Sequence, residues 1–363
     1  MGGKLKKLRI GLVGTGESAH IHATACRNVS FAFGVEPAVV ELSRLAWATQ
    51  PRFGLDAEIW TPNWQDLIRD DEIDLIAIAC PVAQRAEIAL ASLRMGKHVY
   101  SDQPLAADFR ATAAVNDAAR ATSVVAMASF AYLSNPAQTL AQQMIKAGEI
   151  GEVTKTRFVF DVDTVGDTDT PFDPEIDALG IYGSEALALA KILIGDIDST
   201  CGVFGSPRAS VGLCGAGPED AVQFLARFSS GALGVFASNR RCVGRRTALA
   251  YEIQGSKGAL RFSQERMNEI HFYSLGDPSW RRGYKTIYSG PIDRYFAAFH
   301  PIPGLALGFV DQKTIELRKL VEAIDTNGSI PNDFHFASRV TRLVECVRAS
   351  ERERRWVSIG EVA

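Results

Sequence analysis

Gly14, Gly16 and Ala19 stand in G-x-G-x-x-A spacing directly after the apolar run Leu8–Val13 and before a helical stretch that reaches Val29. Glycines at such a turn let the backbone bend sharply and let an anion approach the main chain, while the first amides of the helix point their N–H groups at it. The linked phosphates of a dinucleotide suit this strand, turn and helix, with Gly14, Gly16, Glu17, Ser18 and Ala19 as the contacts. A plain strand-to-helix turn that tolerates glycine is the alternative. An acid at the end of the second strand ordinarily takes the ribose hydroxyls, but Leu45-Ala46-Trp47 runs into Ala48-Thr49-Gln50 without one. Thr49 and Arg52 facing a 2′-phosphate tilt the choice between NAD and NADP slightly toward NADP; Arg52 as a solvated loop charge is the competing reading.

The elements that must hold this turn follow an alternating pattern. Strand runs at Val39–Trp47, Leu75–Ala79, His98–Tyr100 and Val124–Ala128 are separated by helical stretches at Trp64–Ile68, Ala83–Met95 and Phe109–Arg120, which predicts a doubly wound parallel sheet. The character changes at Asn135-Pro136. A helix to Lys146 is followed by the alternating strand Val153–Val162, then by Ala221–Phe228, Ala232–Ser238, Thr247–Gln254, Ala259–Phe262 and Glu269–Tyr273 with Gly/Ser turns between them. Such successive hairpins make a largely antiparallel sheet. A helix at Gly183–Ile194 interrupts the strands, and helices at Thr314–Asp325 and Phe336–Arg352 come last. The expected fold class is α/β, with a Rossmann domain over residues 1–129 and an α/β domain with a large, mostly antiparallel open sheet over 130–363.

Composition narrows the partners. The 363 residues carry 39 Lys+Arg against 42 Asp+Glu, so no overall positive field exists to gather nucleic-acid phosphates. No apolar stretch reaches the roughly 20 residues of a membrane-spanning helix, and the basic, apolar opening reads as a first strand rather than a signal peptide. Six scattered cysteines, without a C-x-x-C pair, point to reduced thiols, a cytoplasmic location and no structural metal.

The turn at Gly14, with Ala19 and His22, joins a second motif, Gly96-Lys97-His98-Val99-Tyr100-Ser101-Asp102-Gln103-Pro104-Leu105-Ala106. Together with Asn135-Pro136, Gly148…Gly151-Glu152-Val153, Gly180-Ile181-Tyr182-Gly183 and Gly255-Ser256-Lys257-Gly258, these segments resemble the Gfo/Idh/MocA family along nearly the whole chain. The resemblance implies a nicotinamide-dependent oxidoreductase of sugars, cyclitols or related polyols, with the substrate over the nicotinamide and the open sheet as a homo-oligomer interface. It adds Cys80, Pro81, Asp102 and Gln103 to the cofactor contacts, and Phe130, Tyr182 and Glu185 to the substrate contacts. The segment Gly180-Ile181-Tyr182-Gly183 looks most like the glucose–fructose oxidoreductase branch.

The departures from that family fall on its acid–base groups. Its G-K-H-V-x-x-E-K-P pattern has Gln103 at the lysine, and its helix aspartate and histidine positions hold Ala178 and Tyr182. Its T-P-N-x-x-H loop reads Cys80-Pro81-Val82-Ala83-Gln84-Arg85. Glutamine carries no proton, which leaves Tyr182 as the proton carrier, Gln103 as a substrate contact, and Asp177 or Glu185 as supporting acids. Asp177 lies one residue too early, and a helix turns about 100° per residue, so Asp177 reaches the site only if that helix is wound differently. A phenol with an ordinary pKa near 10 also needs a charged neighbour. Two other readings stay open: a sensor or partner subunit that binds the dinucleotide without turning it over, and redox-neutral chemistry on a retained NAD.

Other residues divide between function and packing. His22 is either a packing side chain or a neighbour of the cofactor, and His98 is a satisfied strand histidine. Arg240-Arg241…Arg245-Arg246 reads as a solvated hairpin or as an anion contact. Trp280, Arg281 and Arg282 beside Tyr284 read as surface packing, or as the lining of a substrate mouth or an oligomer contact. The acids Asp161, Asp163, Asp167, Asp169 and Asp173 have no calcium-loop spacing.

Overall fold

A computed structural model describes residues 7–34, 40–46, 59–163, 176–205, 220–302 and 304–362, with the side chains of 40–45 left aside. Thr49, Arg52, Asp167, Asp169 and Asp173, all named above, lie outside the described residues. The chain divides into two units. The first comprises Met1–Ser134, Ala297–Pro301 and Leu307–Arg339; the second comprises Asn135–Phe296, Ile302–Ala306 and Val340–Ala363.

In the first unit the elements run β1 (Leu8–Val13), α1 (Glu17–Ala32), β2 (Val40–Ala46), β3 (Ile59–Thr61), α2 (Trp64–Arg69), β4 (Leu75–Ile78), α3 (Val82–Arg94), β5 (His98–Asp102), α4 (Phe109–Arg120) and β6 (Ala126–Ser129). The six strands are parallel in the order β3-β2-β1-β4-β5-β6. Every residue of β4 and β6 is buried, as strands covered by helices on both faces require. The order reverses between β1 and β4, so the carboxyl ends of those strands open the crevice where ligands of doubly wound sheets bind.

The second unit begins with α5 (Pro136–Lys146), whose cap is the Asn135 side chain accepting from the Ala137 amide at 2.8 Å, with proline at the first helical position. β7 (Val153–Asp161) precedes a five-residue π turn at Leu179–Gly183, which runs into α6 (Ser184–Leu193). Next come β8 (Ile197–Gly205), β9 (Ala221–Phe228), β10 (Leu233–Asn239), β11 (Ala248–Gly255), β12 (Gly258–Ser263), β13 (Glu269–Ser274) and β14 (Lys285–Tyr288). After α7 (Arg294–Phe299), α8 (Phe309–Thr326) and α9 (Phe334–Glu353), the two-residue β15 (Val357–Ser358) closes a sheet ordered β14-β13-β12-β11-β7-β10-β9-β8-β15. Its neighbours are antiparallel except β7 and β10. Phe224, Phe236, Phe158, Tyr251 and Phe262 stand in register across five strands and pack ring on ring at 4.7–5.5 Å, giving this unit its core face.

Two features differ from the sequence reading. The first unit is not one continuous segment: α8 and the start of α9 return to it. The reason is the apolar stripe of α8, where Leu317, Leu320, Val321 and Ala323 share one buried cluster with Leu8, Ile10, Ala19 and Ala23 of β1 and α1. The expected helix from Gly183 in fact begins as the π turn, one residue wider than an α turn, with the Ser184 amide bonded to the Leu179 carbonyl.

Candidate active site

The glycine turn lies where β1 meets α1. Gly14 adopts φ +131°, and a Cβ there would stand 2.1 Å from the Ala79 carbonyl oxygen at the end of β4, so only glycine fits. Gly16, the N-cap of α1, faces open space: a Cβ would meet nothing within 4 Å, and no side chain caps the helix. Glu17 is exposed and Ser18 half-buried, while Ala19 is fully buried where α1 packs on the sheet. Uncapped first-turn amides at the sheet's switch point, with open space at Gly16, fit a pyrophosphate.

The carboxyl ends of β4 and β5 are tied by one side chain. Buried Arg85 donates from Nε to the Cys80 carbonyl at 2.7 Å and from Nη1 to the Gln103 and Pro104 carbonyls at 2.8 and 3.0 Å. Cys80 is buried and Pro81 exposed at the cap of α3, so Arg85 fixes both the Cys80 loop and the Gln103-Pro104 turn, whose peptide is cis. A guanidinium thus braces the two loops through their backbone carbonyls.

Asp102, the last residue of β5, belongs to a polar network that the sequence reading did not assemble. His22 Nε2 donates to Asp102 Oδ1 at 2.8 Å, Ser18 Oγ donates to Oδ2, and Lys313 Nζ stands 3.5 Å from Oδ1. Lys313 also donates to Ser129 Oγ and lies 3.6 Å from Glu316 Oε2. Glu316 accepts from Tyr100 Oη at 2.5 Å, Ser129 Oγ at 2.8 Å, the Phe130 amide at 2.8 Å and Asn332 Nδ2 at 3.1 Å. Burial alone pushes the Asp102 carboxyl up, but His22 and the Lys313 ammonium outweigh it and hold the group well below the usual carboxylate range. Burial, then Lys313, pushes His22 down against the pull of Asp102, so its ring is neutral, with the proton on Nε2. Its Nδ1 is buried without a partner. Burial and Glu316 raise the Tyr100 phenol well above its ordinary value, which makes it a fixed donor. Phe130, expected at the substrate, is buried with its ring edge-on to Phe336 at 5.5 Å. The sequence signal available for this network was two polar residues, Lys313 and Glu316, on the apolar side of α8.

In the second unit, Tyr182 sits on the π turn, half-buried, with its ring 4.9 Å from Phe160 of β7. Burial raises its phenol pKa and the Arg240 charge opposes the rise. Arg240 supplies the charged neighbour that the sequence reading asked for. The solvated-hairpin reading of Arg240-Arg241 does not hold: both guanidiniums, 12% and 11% exposed, share the fully buried Asp220 carboxylate, and Arg240 Nη1 reaches the Ile176 carbonyl at 3.2 Å. Asp177 Oδ1 accepts from the Gly180 amide at 2.5 Å, and Oδ2 accepts from Arg348 Nη2 at 2.9 Å and Nε at 3.2 Å. Its carboxylate anchors the start of the π turn. Glu185 is buried in the first turn of α6. His98 accepts from the Val125 amide at Nδ1, as a strand histidine should.

This fold and glycine turn define a dinucleotide-dependent oxidoreductase. Residues 8–130 match the model of an oxidoreductase family with an NAD-binding Rossmann fold, and residues 139–261 match the GFO/IDH/MocA C-terminal domain; the chain belongs to the Gfo/Idh/MocA family. It is 29% identical to levoglucosan dehydrogenase of Pseudarthrobacter phenanthrenivorans, over 99% of this chain and all of that protein. A solved levoglucosan dehydrogenase in complex with NADH and levoglucosan superposes with a TM-score of 0.90 at 29% identity, covering 97% of this chain and 99% of that one. An NAD binding oxidoreductase from Klebsiella pneumoniae gives 0.89 at 31% identity, with the same coverage.

Proposed function

We propose that the chain is an NAD(P)-dependent dehydrogenase that transfers a hydride between the nicotinamide and a secondary hydroxyl or ketone of a sugar, cyclitol or anhydrosugar ring. The observation that carries this reading is the Gly14–Gly16 turn, sterically restricted to glycine at one position and open at the next, opposite the end of β4. The full-length similarity to a levoglucosan dehydrogenase supports the ring-shaped polyol as substrate class. The nicotinamide, when bound, takes or gives the hydride.

The chain's own residues do the rest. Gly14, Gly16, Glu17, Ser18 and Ala19 hold the pyrophosphate end, and Cys80, Pro81, Asp102 and Gln103 border the nicotinamide half. The Gln103 amide hydrogen-bonds a substrate hydroxyl. Tyr182 carries the proton, with Arg240 drawing its phenol toward the ionised form. Asp177 acts by holding the π turn and Glu185 by supporting the helix behind it; Phe130 backs the pocket through the core. Thr49, with Arg52, receives a 2′-phosphate, the ground for the slight lean to NADP over NAD. The protein works in the cytoplasm, a reading that rests on its scattered cysteines, and as a homo-oligomer, for which the exposed row Val203, Leu225, Leu233 and Val235 on the outer face of β8–β10 is the support.

The test is incubation of the pure protein with NAD, NADP and their reduced forms against a panel of polyols, ketoses and anhydrosugars, following absorbance of the reduced nicotinamide. Turnover on at least one ring polyol or its ketone is expected. Dinucleotide binding without turnover across the panel would overturn the dehydrogenase reading in favour of a sensor.

A further inference from the structure

Lys313 is a buried cation without a place in the scheme above. It rises from the first turns of α8, some 210 residues after β5, with a side chain only 5% exposed. Its ammonium spans two carboxylates, at 3.5 Å from Asp102 and 3.6 Å from Glu316, donates to Ser129, and rides 4.9 Å from the centre of the Tyr100 ring. Glu316 is fully saturated by its four other donors, so it is the fixed inner end of this string. Asp102 is the outer end. At 14% side-chain exposure it is the most open of the titratable members, against 1% for His22 and Glu316, and it stands at the carboxyl edge of the sheet with Ser18 of α1 already bonded to it.

We propose that Lys313 is a positioning residue of the dinucleotide site, acting through Asp102: it fixes that carboxylate at the carboxyl end of β5 as the acceptor for a hydroxyl of the cofactor's nicotinamide ribose. The inference rests on the dehydrogenase reading only in requiring that a dinucleotide binds. The physical need is plain. Without the ammonium the Asp102 carboxylate loses the cation that holds it in place, and a neighbouring base gains a reason to take up a proton. The titratable and charged groups facing Lys313 are His22 and Cys26 of α1, Tyr100 and Asp102 of β5 and Glu316 of its own helix, with Arg85 of α3 acting on Asp102. Burial pushes the Cys26 thiol up to about 12, and burial with Glu316 raises the Tyr100 phenol well above its ordinary value, so neither changes charge near neutrality. His22 is the group that answers: burial first and Lys313 second hold its pKa down, and removal of Lys313 takes away one of these two opponents of the pull from Asp102.

The experiment measures NADH and NAD affinity of the full chain by calorimetry from pH 6 to 9 for the wild type, Lys313→Met, Lys313→Arg and the double variant Lys313→Met/Glu316→Gln, which leaves no new unpaired charge beside α8. Affinity of the wild type is expected to be flat with pH. Lys313→Met is expected to bind about tenfold more weakly at pH 8, to regain affinity as His22 protonates toward pH 6, and to show that titration in the His22 ring nitrogen shifts; the double variant weakens by the same factor, and Lys313→Arg restores binding. A lysine that merely stabilised the fold would lower the melting temperature and leave affinity within twofold and flat with pH, in the single or the double variant, and that result overturns the inference while the dehydrogenase reading stands. A wild type that binds neither dinucleotide removes both.

Discussion

Tyr182 makes the sharpest demands at the level of single residues. Its phenol is raised by burial and drawn back by Arg240, so the protonated form dominates near neutral pH. As a proton donor in ketone reduction it is therefore ready across the neutral range. As a base in alcohol oxidation it needs to be ionised, and the rate should climb with pH into the alkaline range. Tyr182→Phe should lower kcat about 10²–10⁴-fold, and Arg240→Met should move the alkaline limb of the oxidation profile to higher pH; steady-state profiles of both variants read these effects. An unchanged limb in Arg240→Met would remove Arg240 from the chemistry. Gly14 is testable by stability as well as binding. An alanine there meets a backbone carbonyl that cannot swing away, so Gly14→Ala should cost about 2–4 kcal/mol in denaturant unfolding and lose dinucleotide binding together. The glycines were legible because spacing and position carry their geometry. The Lys313–Glu316 pair was not, because two polar residues on an amphipathic helix look like a flaw in its stripe until their partners from β5 and β6 are known.

Among the elements, the π turn explains what spacing alone left unresolved. Asp177 and Tyr182 are five residues apart, which an α-helix would place about 140° from each other. A π turn takes in one residue more than an α turn; the one at Leu179–Gly183 follows Asp177, contains Tyr182 and closes through the Ser184 amide on the Leu179 carbonyl. Nothing in local propensity separates a helix that begins with such a turn from one that begins a residue later, so the sequence reading placed only an ordinary helix from Gly183. The turn is held from outside, by Asp177 paired with Arg348 of α9. Removing the guanidinium leaves a nearly buried carboxylate without its ion pair; Arg348→Met should cost about 3 kcal/mol and, because Tyr182 then loses its fixed position, lower kcat more than it changes KM. Equal loss of stability with unchanged kcat would make the pair structural only. The alternating strands were readable in β9, β10 and β11, where the core face repeats every second residue, helped by the turns Ser229-Ser230-Gly231 and Gly255-Ser256-Lys257-Gly258. The short strands β3, β14 and β15 offered too few residues to show a period.

For the molecule as a whole, acid should be the weak side. His22 is held neutral in the folded chain, with its pKa below the ordinary value, whereas in the unfolded chain it titrates near 6.5. Below that pH the unfolded state binds more protons, so stability falls as pH drops through about 6.5, and the depressed Asp102 adds a further loss below about 4 as the unfolded carboxyl takes up its proton. Urea midpoints from pH 8 to 4 should decline across the first window, and His22→Gln should flatten that part of the curve; a midpoint that rises on acidification contradicts the assignment. The two-part architecture was visible in the switch from alternating strand and helix to hairpins. The return of α8 to the first unit was not, since an apolar stripe states that a helix packs and is silent on what it packs against.

Calorimetric titration of the pure chain with NADH, NAD, NADPH and NADP bears most directly on the glycine turn as a dinucleotide cradle. One site per chain is expected for at least one of the four, with a dissociation constant on the order of 1 μM to 1 mM, lost in Gly14→Ala. No binding of any of them by folded wild-type protein would contradict it.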